Sequence, residues 1–492
     1  MTMENKPENT SLVSTDSRSE HSRFQTVRVV LRNFSTLTLA QILNLAVTFF
    51  VSIVVIRYLG AAGYGEYSLV ITVVALFSFT VDLGLSQLVI REVSQRREDA
   101  ATYLSNFLFV QSLIAVVVYL VLVLYVNVMH YPSIIVDGCY IAGAGMVIGA
   151  FTKPYAAILT ALEDMHWIAG VNVSVGIVNL ILALFLIHTH QSLYYFFFLS
   201  IVTNALTFLQ LVILSRKRVR TQFTVNLPIA RRLFVMALPF AFLMIFNYLY
   251  AKIDIFMIAS ILKNNVAVGL YSTSYRIIDT LIIIPSTISG VLFPVIARNI
   301  NNKALTNFVG SRAIKFSAAL GLPIAFGALL VGVPLMTMLF GVDFATSGTL
   351  LKYLIWMIAM ISTYAILGNI LVSANKVSLL AKFNAIGIVL NVSLNYFLIR
   401  KHGILGAAIS SIIAEIVVMG LHMYFAHRYV RFAQLGKDFV KIILACLVMT
   451  GVYFLLPPMH VLLVILVLAA VYAVSLLLLR FIQPVEKDLL RQ

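Results

Sequence analysis

The feature that most limits how this chain can fold is a series of apolar stretches that recur from residue 34 to residue 481, separated by short polar breaks. Each stretch is roughly 20 residues or longer, which is enough for one helix to cross a bilayer core about 30 Å thick. The period-2 pattern of membrane β-strands is absent from them. Because unpaired backbone groups are costly in hydrocarbon, the stretches are predicted to be helices.

The composition agrees with this interpretation. Hydrophobic side chains make up 61% of the 492 residues and charged side chains 11%, whereas about a quarter of the residues in soluble domains are charged. The sequence therefore predicts an all-α integral membrane protein with about fourteen transmembrane helices. The predicted spans are residues 34–58, 66–90, 102–126, 135–160, 166–188, 193–215, 233–258, 268–298, 311–335, 346–373, 378–399, 405–426, 440–457 and 460–481.

The distribution of the 35 Lys and Arg residues predicts the orientation of the chain. About 27 of them fall in the N-terminal segment or in loops on the same side, and the opposite side holds only Arg57, Lys263, Arg400 and Lys401. By the positive-inside rule, both termini are predicted to be cytoplasmic, in a multi-pass protein of the cell (inner) membrane. The loop at 161–166 is an exception, because it carries two acids and no cation.

The net charge of +16 requires no nucleic-acid partner. Loop topology accounts for most of the cations, and no soluble segment combines a basic stripe with interleaved aromatic residues. Anionic membrane lipids are a sufficient partner. The two cysteines, Cys139 and Cys446, fall near opposite membrane faces, so no disulfide is predicted.

The soluble segments are too short to hold a catalytic domain, the longest internal one being 216–232. A membrane glycosyltransferase or polymerase would be expected to need a sizeable external loop with catalytic carboxylates. The sequence therefore predicts no enzyme, no catalytic residue and no cofactor. His188 and His190 lack a third ligand, so no metal site is predicted either.

The N-terminal segment precedes the first span. Residues 1–23 are rich in Ser, Glu, Asn and Thr, which predicts disorder. The following "FQTVRVVLRNF" has Arg28 and Arg32 four residues apart, with Val and Leu on another face. This pattern suits a short helix on the inner leaflet, and a plain extension of the first span is equally compatible with it.

Two short sequences recur at nearly the same distance along the chain. "GEYS" (65–68) opens the second span and "GLYS" (269–272) opens the eighth, and "NVSVGIVN" in the fifth span is echoed by "NAIGIVLN" in the eleventh. An offset of six spans gives copies of the same orientation, so two six-helix lobes related by a pseudo-two-fold axis along the membrane normal are predicted, with a cleft between them. The predicted units are a disordered tail and interfacial helix at 1–33, an N-lobe at 34–215, a cytoplasmic loop at 216–232, a C-lobe at 233–426, and two further helices with the C-terminus at 427–492.

The glycines of "RYLGAAGYGEYSLV" (57–70) are interpreted as a connector. In each copy the Gly-x-Tyr-Ser element restarts a helix after a tight outer loop, where glycine permits the turn. A hinge at Gly60, Gly63 and Gly65 is the alternative. "GAAGYG" has neither the spacing of a dinucleotide fingerprint nor the GK[ST] of a phosphate loop, so no nucleotide site is predicted.

Polar residues inside the spans indicate where function lies, because a charge at the bilayer centre costs about 3 kcal/mol to insert. They suggest a hydrated cavity lined by the first two helices of each lobe; structural hydrogen bonds between helices are the alternative. Arg276 and Asp279, three apart on the eighth span, could form an ion pair, whereas Lys252, Arg57 and Lys352 could snorkel towards the membrane surface. The polar positions are Gln41, Asn44, Thr48, Asp82, Asn247, Tyr250, Asp254, Tyr275, Arg276, Asp279, Ser411 and Glu415, with Lys153 beside Pro154.

Four segments carry a resemblance to a known family: "IRYLGAAGYGEYSLV", "DLGLSQLVIREVS", "YAKIDIFMIASILKNNVAVGLYSTSYRIIDTL" and "NVSLNYFLIRKHGILGAAISSIIAE". The chain resembles the Wzx-like polysaccharide flippases of the multidrug/oligosaccharidyl-lipid/polysaccharide (MOP) exporter superfamily. The resemblance implies fourteen helices, two lobes and alternating access that moves a polyprenyl-(pyro)phosphate-linked oligosaccharide from the inner to the outer leaflet. It also implies that the last two helices help to form a groove for lipid.

This function assigns roles to the polar residues of the spans. A pyrophosphate needs cations and a sugar chain needs hydroxyl and amide partners, and four acids could carry a coupling H⁺ or Na⁺. The protein is further expected to be a monomer that could associate with glycan-assembly enzymes. The candidate substrate-binding residues are Arg276, Lys153, Lys252, Gln41, Asn44, Thr48, Asn247 and Tyr275, and the ion-coupling candidates are Asp82, Asp254, Asp279 and Glu415.

The alternative function is ion-coupled efflux of small organic cations, as in multidrug exporters of the MATE type. In that case the acids would bind the substrate and the cations would be structural. The sequence permits this alternative because four cations and four acids lie within the spans, so the cavity is not plainly cationic.

Overall fold

The structure, a computed structural model, describes residues 13–219, 224–430, 432 and 435–481, with side chains from residue 39 onwards and outside 237–244. Regular structure within these residues is helical, with no strand. The α-helices are α1 (Val13–Asp82), α2 (Leu85–Gln95), α3 (Ala100–Val128), α4 (Ser133–Ala150), α5 (Thr152–Ala161), α6 (Met165–His188), α7 (Leu193–Arg216), α8 (Leu227–Leu262), α9 (Asn265–Leu281), α10 (Ile283–Asn299), α11 (Lys303–Phe340), α12 (Ala345–Leu354), α13 (Trp356–Ser373), α14 (Val377–His402), α15 (Ile404–Ala426), α16 (Gly436–Leu455) and α17 (Val461–Leu478).

Thirteen segments of the described chain are long and apolar enough to cross a membrane. The first of them, Leu39–Gln95, is interrupted at Gly60, whose φ of 65° and ψ of −177° are not helical. A Cβ at Gly60 would meet nothing within 4 Å, so glycine is needed there for its backbone conformation and not for space. The break divides this segment into two spans, and the predicted fourteen-span all-α fold is confirmed.

Four spans consist of two helices joined at a short break. The breaks lie at Leu83–Gly84 between α1 and α2, at Phe151 between α4 and α5, at Ile282 between α9 and α10, and at Ile355 between α12 and α13. These are the second, fourth, eighth and tenth spans, so each break of the N-lobe has a counterpart six spans later.

The tight turns of the two lobes also correspond. Left-handed or otherwise positive φ values occur at Gly60, His130, Glu163 and His190 in the N-lobe. The matching turns of the C-lobe have positive φ at Lys263, Gly341, Asn375 and Gly403, about 203 to 213 positions later. A positive φ thus recurs at matching turns although glycine occupies only three of the eight positions.

Helix packing follows one pattern in both lobes. In the N-lobe α1 packs on α4 and α6, α3 packs on α4, and α7 packs on α4 and α6. The corresponding spans of the C-lobe pack in the same way: α9 on α12, α8 on α14, α11 on α12 and α13, and α15 on α12, α13 and α14. The predicted pair of six-helix lobes is thereby confirmed.

The two further helices, α16 and α17, pack on each other and on α11. Lys315 of α11 holds both of them. Its fully buried ammonium group donates to the carbonyl oxygen of Phe481, just beyond α17, at 2.7 Å, and lies 3.4 Å from Asp438 Oδ1 at the start of α16.

The N-terminal prediction is corrected in part. α1 begins at Val13, so residues 13–23 are helical where disorder was predicted, and the Arg28–Arg32 segment is an extension of the first span, not a separate interfacial helix. A helix that is already nucleated propagates at little cost into residues of moderate propensity. Residues 1–12 of the predicted tail lie outside the described residues.

The acidic loop at 161–166 lies at the same membrane end as two cationic loops. Glu163 is 2.5 Å from Arg97, and Asp164 is 2.8 Å from Arg218. The loop therefore needs no Lys or Arg of its own, because neighbouring loops supply its counter-charges. That this end faces the cytoplasm stays a prediction.

Candidate functional site

The two lobes touch, at the membrane end that carries the turns at Gly60 and Lys263, through a pair of equivalent glycines. Gly65 and Gly269 are helical, and a Cβ added to either would lie 3.0 Å from the backbone nitrogen of the other. The same Cβ atoms would overlap the carbonyl oxygens of Asn265 and Ala61, respectively. The connector interpretation of Gly65 was therefore wrong: the turn belongs to Gly60, and Gly65 allows two backbones to approach closely.

Side chains extend this contact. Asn265 donates to Glu66 at 2.9 Å. Arg57 donates to the carbonyl oxygen of Leu339 at 2.6 Å and also to that of Met338, both in the last turn of α11. Arg57 thus binds carbonyl groups at a helix C-terminus, where a cation is favoured, and does not snorkel as predicted.

Other contacts between the lobes lie deeper and at the opposite end. The Tyr248 hydroxyl donates to the carbonyl oxygen of Thr72 at 2.9 Å. At the far end Arg232 is 3.4 Å from Glu92, and the backbone N–H of Asn226 donates to Asn106 at 2.8 Å. The lobes are thus joined at both membrane ends, with polar residues between them at intermediate depth.

A polar cluster lies between α8, α9 and the first span, within segments that are apolar enough to cross a membrane. Lys252 Nζ is 2.7 Å and 3.0 Å from the two carboxylate oxygens of Asp279, and it lies 4.2 Å from the centre of the Tyr275 ring. The Lys252 side chain is 17% exposed and that of Asp279 is 39% exposed. The expected Arg276–Asp279 pair is not the one that forms, and Lys252 turns inwards instead of snorkelling. We call Lys252, Tyr275, Arg276, Asp279 and Thr48 the inter-lobe cluster.

Arg276 of the C-lobe forms a hydrogen bond to the backbone of the N-lobe. It forms no ion pair with any residue of the described chain. Its Nη2 donates to the carbonyl oxygen of Thr48 at 3.2 Å, and its Nε is buried and donates to no described acceptor. A buried guanidinium N–H without an acceptor is unfavourable. Arg276 therefore retains the capacity to bind an incoming anion.

The remaining predicted substrate residues are not all part of this cluster. Asn247 accepts a hydrogen bond from Asn384 of α14 at 3.0 Å, and half-buried Asn44 packs near Gly176 of α6. Gln41 is exposed on the first span. Lys153 is exposed on α5, and no ion pair of this residue occurs within the described chain.

A second polar cluster is enclosed within the C-lobe. Asp254 is 4% exposed and accepts three hydrogen bonds: from Tyr271 at 2.7 Å, Ser411 at 2.6 Å and Asn395 at 2.6 Å. All three donors are neutral. Asp254 therefore does not line the space between the lobes as predicted, because α8 turns this side chain towards α14 and α15. We call Asp254, its three donors and Glu415 the C-lobe acid cluster.

Glu415 completes this cluster. It is 3% exposed and accepts a hydrogen bond from Tyr250 at 3.0 Å. A cavity of about 10 Å³, lined by Tyr250, Asp254, Asn391, Ser411 and Glu415 among others, lies between the two carboxylates. This volume is close to the least that holds one water molecule.

The two clusters adjoin each other through the α9 tyrosines, since the rings of Tyr271 and Tyr275 stack with centroids 6.1 Å apart.

Tyr271 and Asn395 were not predicted as site residues. Asn391 and Asn395, one helical turn apart within a span, were the signal that could have identified the α14 contribution. Asp82, the remaining ion-coupling candidate, lies apart from both clusters and accepts from Ser86 at 2.6 Å.

An apolar groove runs beside the C-lobe. It has a volume of about 360 Å³ and is lined by α9, α11 and α12 on one side and by α16 and α17 on the other. Its walls include Leu281, Pro323, Leu351, Met449 and Leu468.

Comparison with known proteins agrees with this architecture. Residues 30–300 match the family described as polysaccharide biosynthesis protein. The chain belongs to this polysaccharide biosynthesis family. Among its relatives is a protein of Haloferax volcanii described as the probable low-salt glycan biosynthesis flippase Agl15, which is 28% identical over 214 residues; the match covers 42% of this chain and 44% of that protein. The chain thus spans less than half the length of this curated relative.

Solved structures share the fold of this member of the polysaccharide biosynthesis family. The lipid II flippase MurJ in an inward closed conformation aligns with a TM-score of 0.76 at 15% identity, over 89% of this chain and 97% of MurJ. An inward-facing MATE multidrug transporter of the MOP superfamily aligns with a TM-score of 0.63 at 14% identity, over 80% of this chain and 96% of that one.

Proposed function

We propose that this protein is a flippase that moves a polyprenyl-(pyro)phosphate-linked oligosaccharide from the inner to the outer leaflet by alternating access. Membership of the polysaccharide biosynthesis family and the likeness to proteins described as a glycan flippase and a lipid II flippase support this function. The observation that carries the proposal is Arg276, a half-buried guanidinium between two pseudo-symmetric lobes with a donor left unused.

The phosphate of the substrate binds at the inter-lobe cluster. Arg276 offers a planar fork of donors that matches phosphate oxygens. Lys252 lies two residues before Asp254 on α8, and its charge is already neutralised by Asp279. A phosphate that approaches Lys252 must compete with this carboxylate, so the pair limits how tightly the anion is held and favours its release.

The sugar chain is bound by hydroxyl and amide groups that line the same space. The residues assigned to this role are Thr48, Gln41 and Asn247, whose side chains are exposed, half-buried Asn44, and Tyr275. Lys153 of α5 lies on the N-lobe side and assists with the phosphate. Each of these groups can exchange hydrogen bonds with sugar hydroxyls, whose loss of hydration would otherwise be costly.

The prenyl chain occupies the apolar groove between the C-lobe and α16–α17. A groove of about 360 Å³ with an apolar lining suits a hydrocarbon chain that stays in contact with lipid. In this arrangement only the polar part of the substrate crosses between the lobes, and the carrier chain never enters water.

A cation, H⁺ or Na⁺, couples to transport at the C-lobe acid cluster. Asp254 and Glu415 bring two carboxylates to one small cavity, and buried Asn395 Oδ1 accepts no hydrogen bond from the described residues. Oxygen atoms of this kind are the ligands that hard cations prefer. The Tyr271–Tyr275 stack transmits occupancy of this cavity to Lys252 and the inter-lobe cluster. Asp279 and Asp82 are the further candidates for this role.

A deletion strain tests the function. The proposal expects it to accumulate lipid-linked glycan on the inner leaflet and to lose surface glycan, and plasmid-borne wild type to restore display. Arg276→Ala at matched membrane abundance should fail to restore it. A strain that becomes sensitive to cationic drugs while its surface glycan stays intact would replace this proposal with efflux of organic cations.

A further inference from the structure

A larger apolar groove lies between the two lobes. Its volume is about 1200 Å³. One wall is the middle of α3 in the N-lobe, and the other is the first turns of α8, which begins the C-lobe. Thr80 and Leu83 of the second span complete its described lining. We call this cavity the α3–α8 groove. It shares no described lining residue with either polar cluster or with the groove beside α16–α17.

Both walls of the α3–α8 groove present large apolar side chains that the rest of the described chain leaves exposed. On α3, Leu113 and Val117 are 55% and 58% exposed, and on α8, Phe234 and Val235 are 41% and 55% exposed. All four are lining residues, so this apolar surface belongs to the groove itself. The hydrocarbon chains of lipids are as apolar as these side chains and can cover both walls.

One cation without a partner lies among these apolar side chains. Leu227, Arg231 and Val235 are spaced four residues apart on α8, so they follow one face of the helix, and all three line the groove. Arg231 is exposed and forms no ion pair or hydrogen bond with the described residues. Its neighbour Arg232, also in the lining, is 3.4 Å from Glu92. No acid is among the described lining residues, so Arg231 supplies one uncompensated positive charge to the groove.

Arg231 lies near the loop end of the groove. It is in the second turn of α8, and the N–H of Asn226, just before this helix, donates to Asn106 of α3 at 2.8 Å. The lining residues of α3, 109 to 118, follow Asn106 towards the other membrane end. The charge is thus at the level where α8 enters the membrane, and the apolar walls extend from there along the membrane-spanning part of α3.

We propose that the α3–α8 groove binds an anionic phospholipid of the adjoining leaflet, with its phosphate on Arg231 and its acyl chains between the two helices. A guanidinium group offers parallel donors that match two oxygens of a phosphate. One uncompensated cation matches the single negative charge of a phosphodiester, whereas a pyrophosphate would bring further charge that nothing in the described lining balances. The volume of the groove is more than three times that of the groove beside α16–α17, about 360 Å³, so there is room for two chains.

The bound lipid contacts both lobes at once. A change in the relative position of the lobes alters the distance between α3 and α8, and with it the width of the groove. A ligand that binds one arrangement better than another shifts the population towards it. Phosphatidylglycerol is therefore expected to stabilise the arrangement in which the groove is formed and to raise the unfolding temperature of the protein.

The first test removes the cation. Arg231→Ala is compared with Arg96→Ala, which removes an exposed arginine at the same membrane end outside the described lining. Native mass spectrometry of the full-length protein released from nanodiscs measures retained phosphatidylglycerol, with phosphatidylcholine as the zwitterionic reference. Arg231→Ala should bind phosphatidylglycerol about fivefold more weakly than wild type, because one cation near the headgroup is lost, and Arg96→Ala should bind it as wild type does. Equal retention by the two variants would overturn the proposal.

The second test fills the groove. Val117→Trp places a large ring between α3 and α8, and Val116→Trp places the same ring at a neighbouring position that is 55% exposed and outside the described lining. Val117→Trp should lose the retained phospholipid and the rise in unfolding temperature that phosphatidylglycerol causes, whereas Val116→Trp should keep both. Unchanged retention by Val117→Trp would show that the acyl chains lie elsewhere and would also overturn the proposal.

A competing lipid decides the identity of the occupant. A polyprenyl pyrophosphate, added at the same concentration as phosphatidylglycerol, should not displace it from the wild-type protein. Preferential retention of the polyprenyl pyrophosphate that is lost in Arg231→Ala would overturn the phospholipid as the occupant and assign the groove to a carrier lipid. None of these measurements depends on whether the protein moves glycans.

Discussion

Gly65 and Gly269 occupy equivalent positions in the two lobes and pack directly against each other, each backbone filling the space where the other residue would carry a Cβ. The contact is nearly symmetric, because Gly65 meets the carbonyl of Asn265 and Gly269 meets that of Ala61, four residues earlier in each helix. The two lobes can close at this end only while both positions lack a side chain.

Substitution of Gly65 by Ala should therefore open this contact between the lobes. Overpacking of a close backbone contact costs about 1–3 kcal/mol, and here the obstruction is a carbonyl oxygen, which cannot rotate away. We expect a lower unfolding temperature and a loss of surface glycan, measured in purified protein and in the complemented deletion strain. Gly269→Ala should have the same effect.

Gly420→Ala is the matched control, because a Cβ at this helical position of α15 meets nothing within 4 Å. In a helix interior Ala is favoured over Gly by about 1 kcal/mol, so the control should be neutral or slightly more stable. Wild-type behaviour of both Gly65→Ala and Gly269→Ala would contradict the structural role of this contact.

The sequence predicted the fold well because the length of an apolar span is a local property. Fourteen apolar stretches predict fourteen helices whatever their neighbours are, and the short repeats reveal the lobes. The interruptions at Ile282 and Ile355 were not predicted, since no glycine occupies them; Pro285 lies three residues beyond Ile282, and no proline lies near Ile355.

The partners of the site residues depend on the rotation of each helix, which composition does not determine. Residue spacing identified Arg276 and Asp279 as neighbours on one helix, but the carboxylate of Asp279 is bound by Lys252 from the adjacent helix. α8 and α9 are joined by a turn at Lys263–Asn264, so residues at similar distances from that turn lie at similar depth. Lys252 lies 11 residues before Lys263 and Asp279 lies 15 residues after Asn264. The hairpin alone therefore places Lys252 closer to the level of Arg276 than to that of Asp279, and it does not predict the observed pair.

A double-mutant cycle on this pair separates structure from transport. Lys252→Met leaves Asp279 without its counter-charge at intermediate depth, and Asp279→Asn does the reverse, so each single variant should be less stable than wild type. The double variant should recover most of that stability. The coupling is expected to be modest, about 1 kcal/mol, because the Asp279 side chain is more than a third exposed.

Transport by the double variant gives a second readout. If Lys252 contacts substrate phosphate, glycan export stays low even after stability returns. The exposed pair Arg97–Glu163 serves as the control, since its removal should change neither property. Full export by a stable Lys252→Met/Asp279→Asn protein would assign this pair a structural role only.

Arg276→Lys keeps the charge and removes the planar fork. Because lysine cannot offer two parallel donors to a phosphate, we expect export to fall at least tenfold while the amount of folded protein in the membrane is unchanged. Single-turnover flipping of a fluorescent lipid-linked glycan in proteoliposomes measures the effect. Arg91→Lys, on an exposed arginine, is the matched change; equal activity of the two variants would remove Arg276 from the substrate site.

Asp254→Asn tests ion coupling. Three neutral donors converge on the carboxylate, so an amide nitrogen placed among them leaves at least one donor unmatched, at a cost of about 1–3 kcal/mol. We expect reduced thermal stability together with transport that no longer responds to an imposed Na⁺ or H⁺ gradient. Asp82→Asn is the comparison; if that variant loses the ion response and Asp254→Asn keeps it, the coupling site lies at the second span.

Lys315→Met tests whether one buried cation fastens the last two helices to the C-lobe. The variant loses the contact to the Phe481 carbonyl and leaves Asp438 buried without its partner, a change that typically costs about 3–5 kcal/mol. The unfolding temperature should fall markedly, and Lys315→Met/Asp438→Leu should recover part of the loss because no uncompensated charge remains. Lys437→Met, which removes an exposed cation next to Asp438, should unfold as wild type does. If Lys315→Met also unfolds at the wild-type temperature, α16 and α17 are held by apolar packing alone, and the Lys315 ion pair contributes nothing measurable to their attachment.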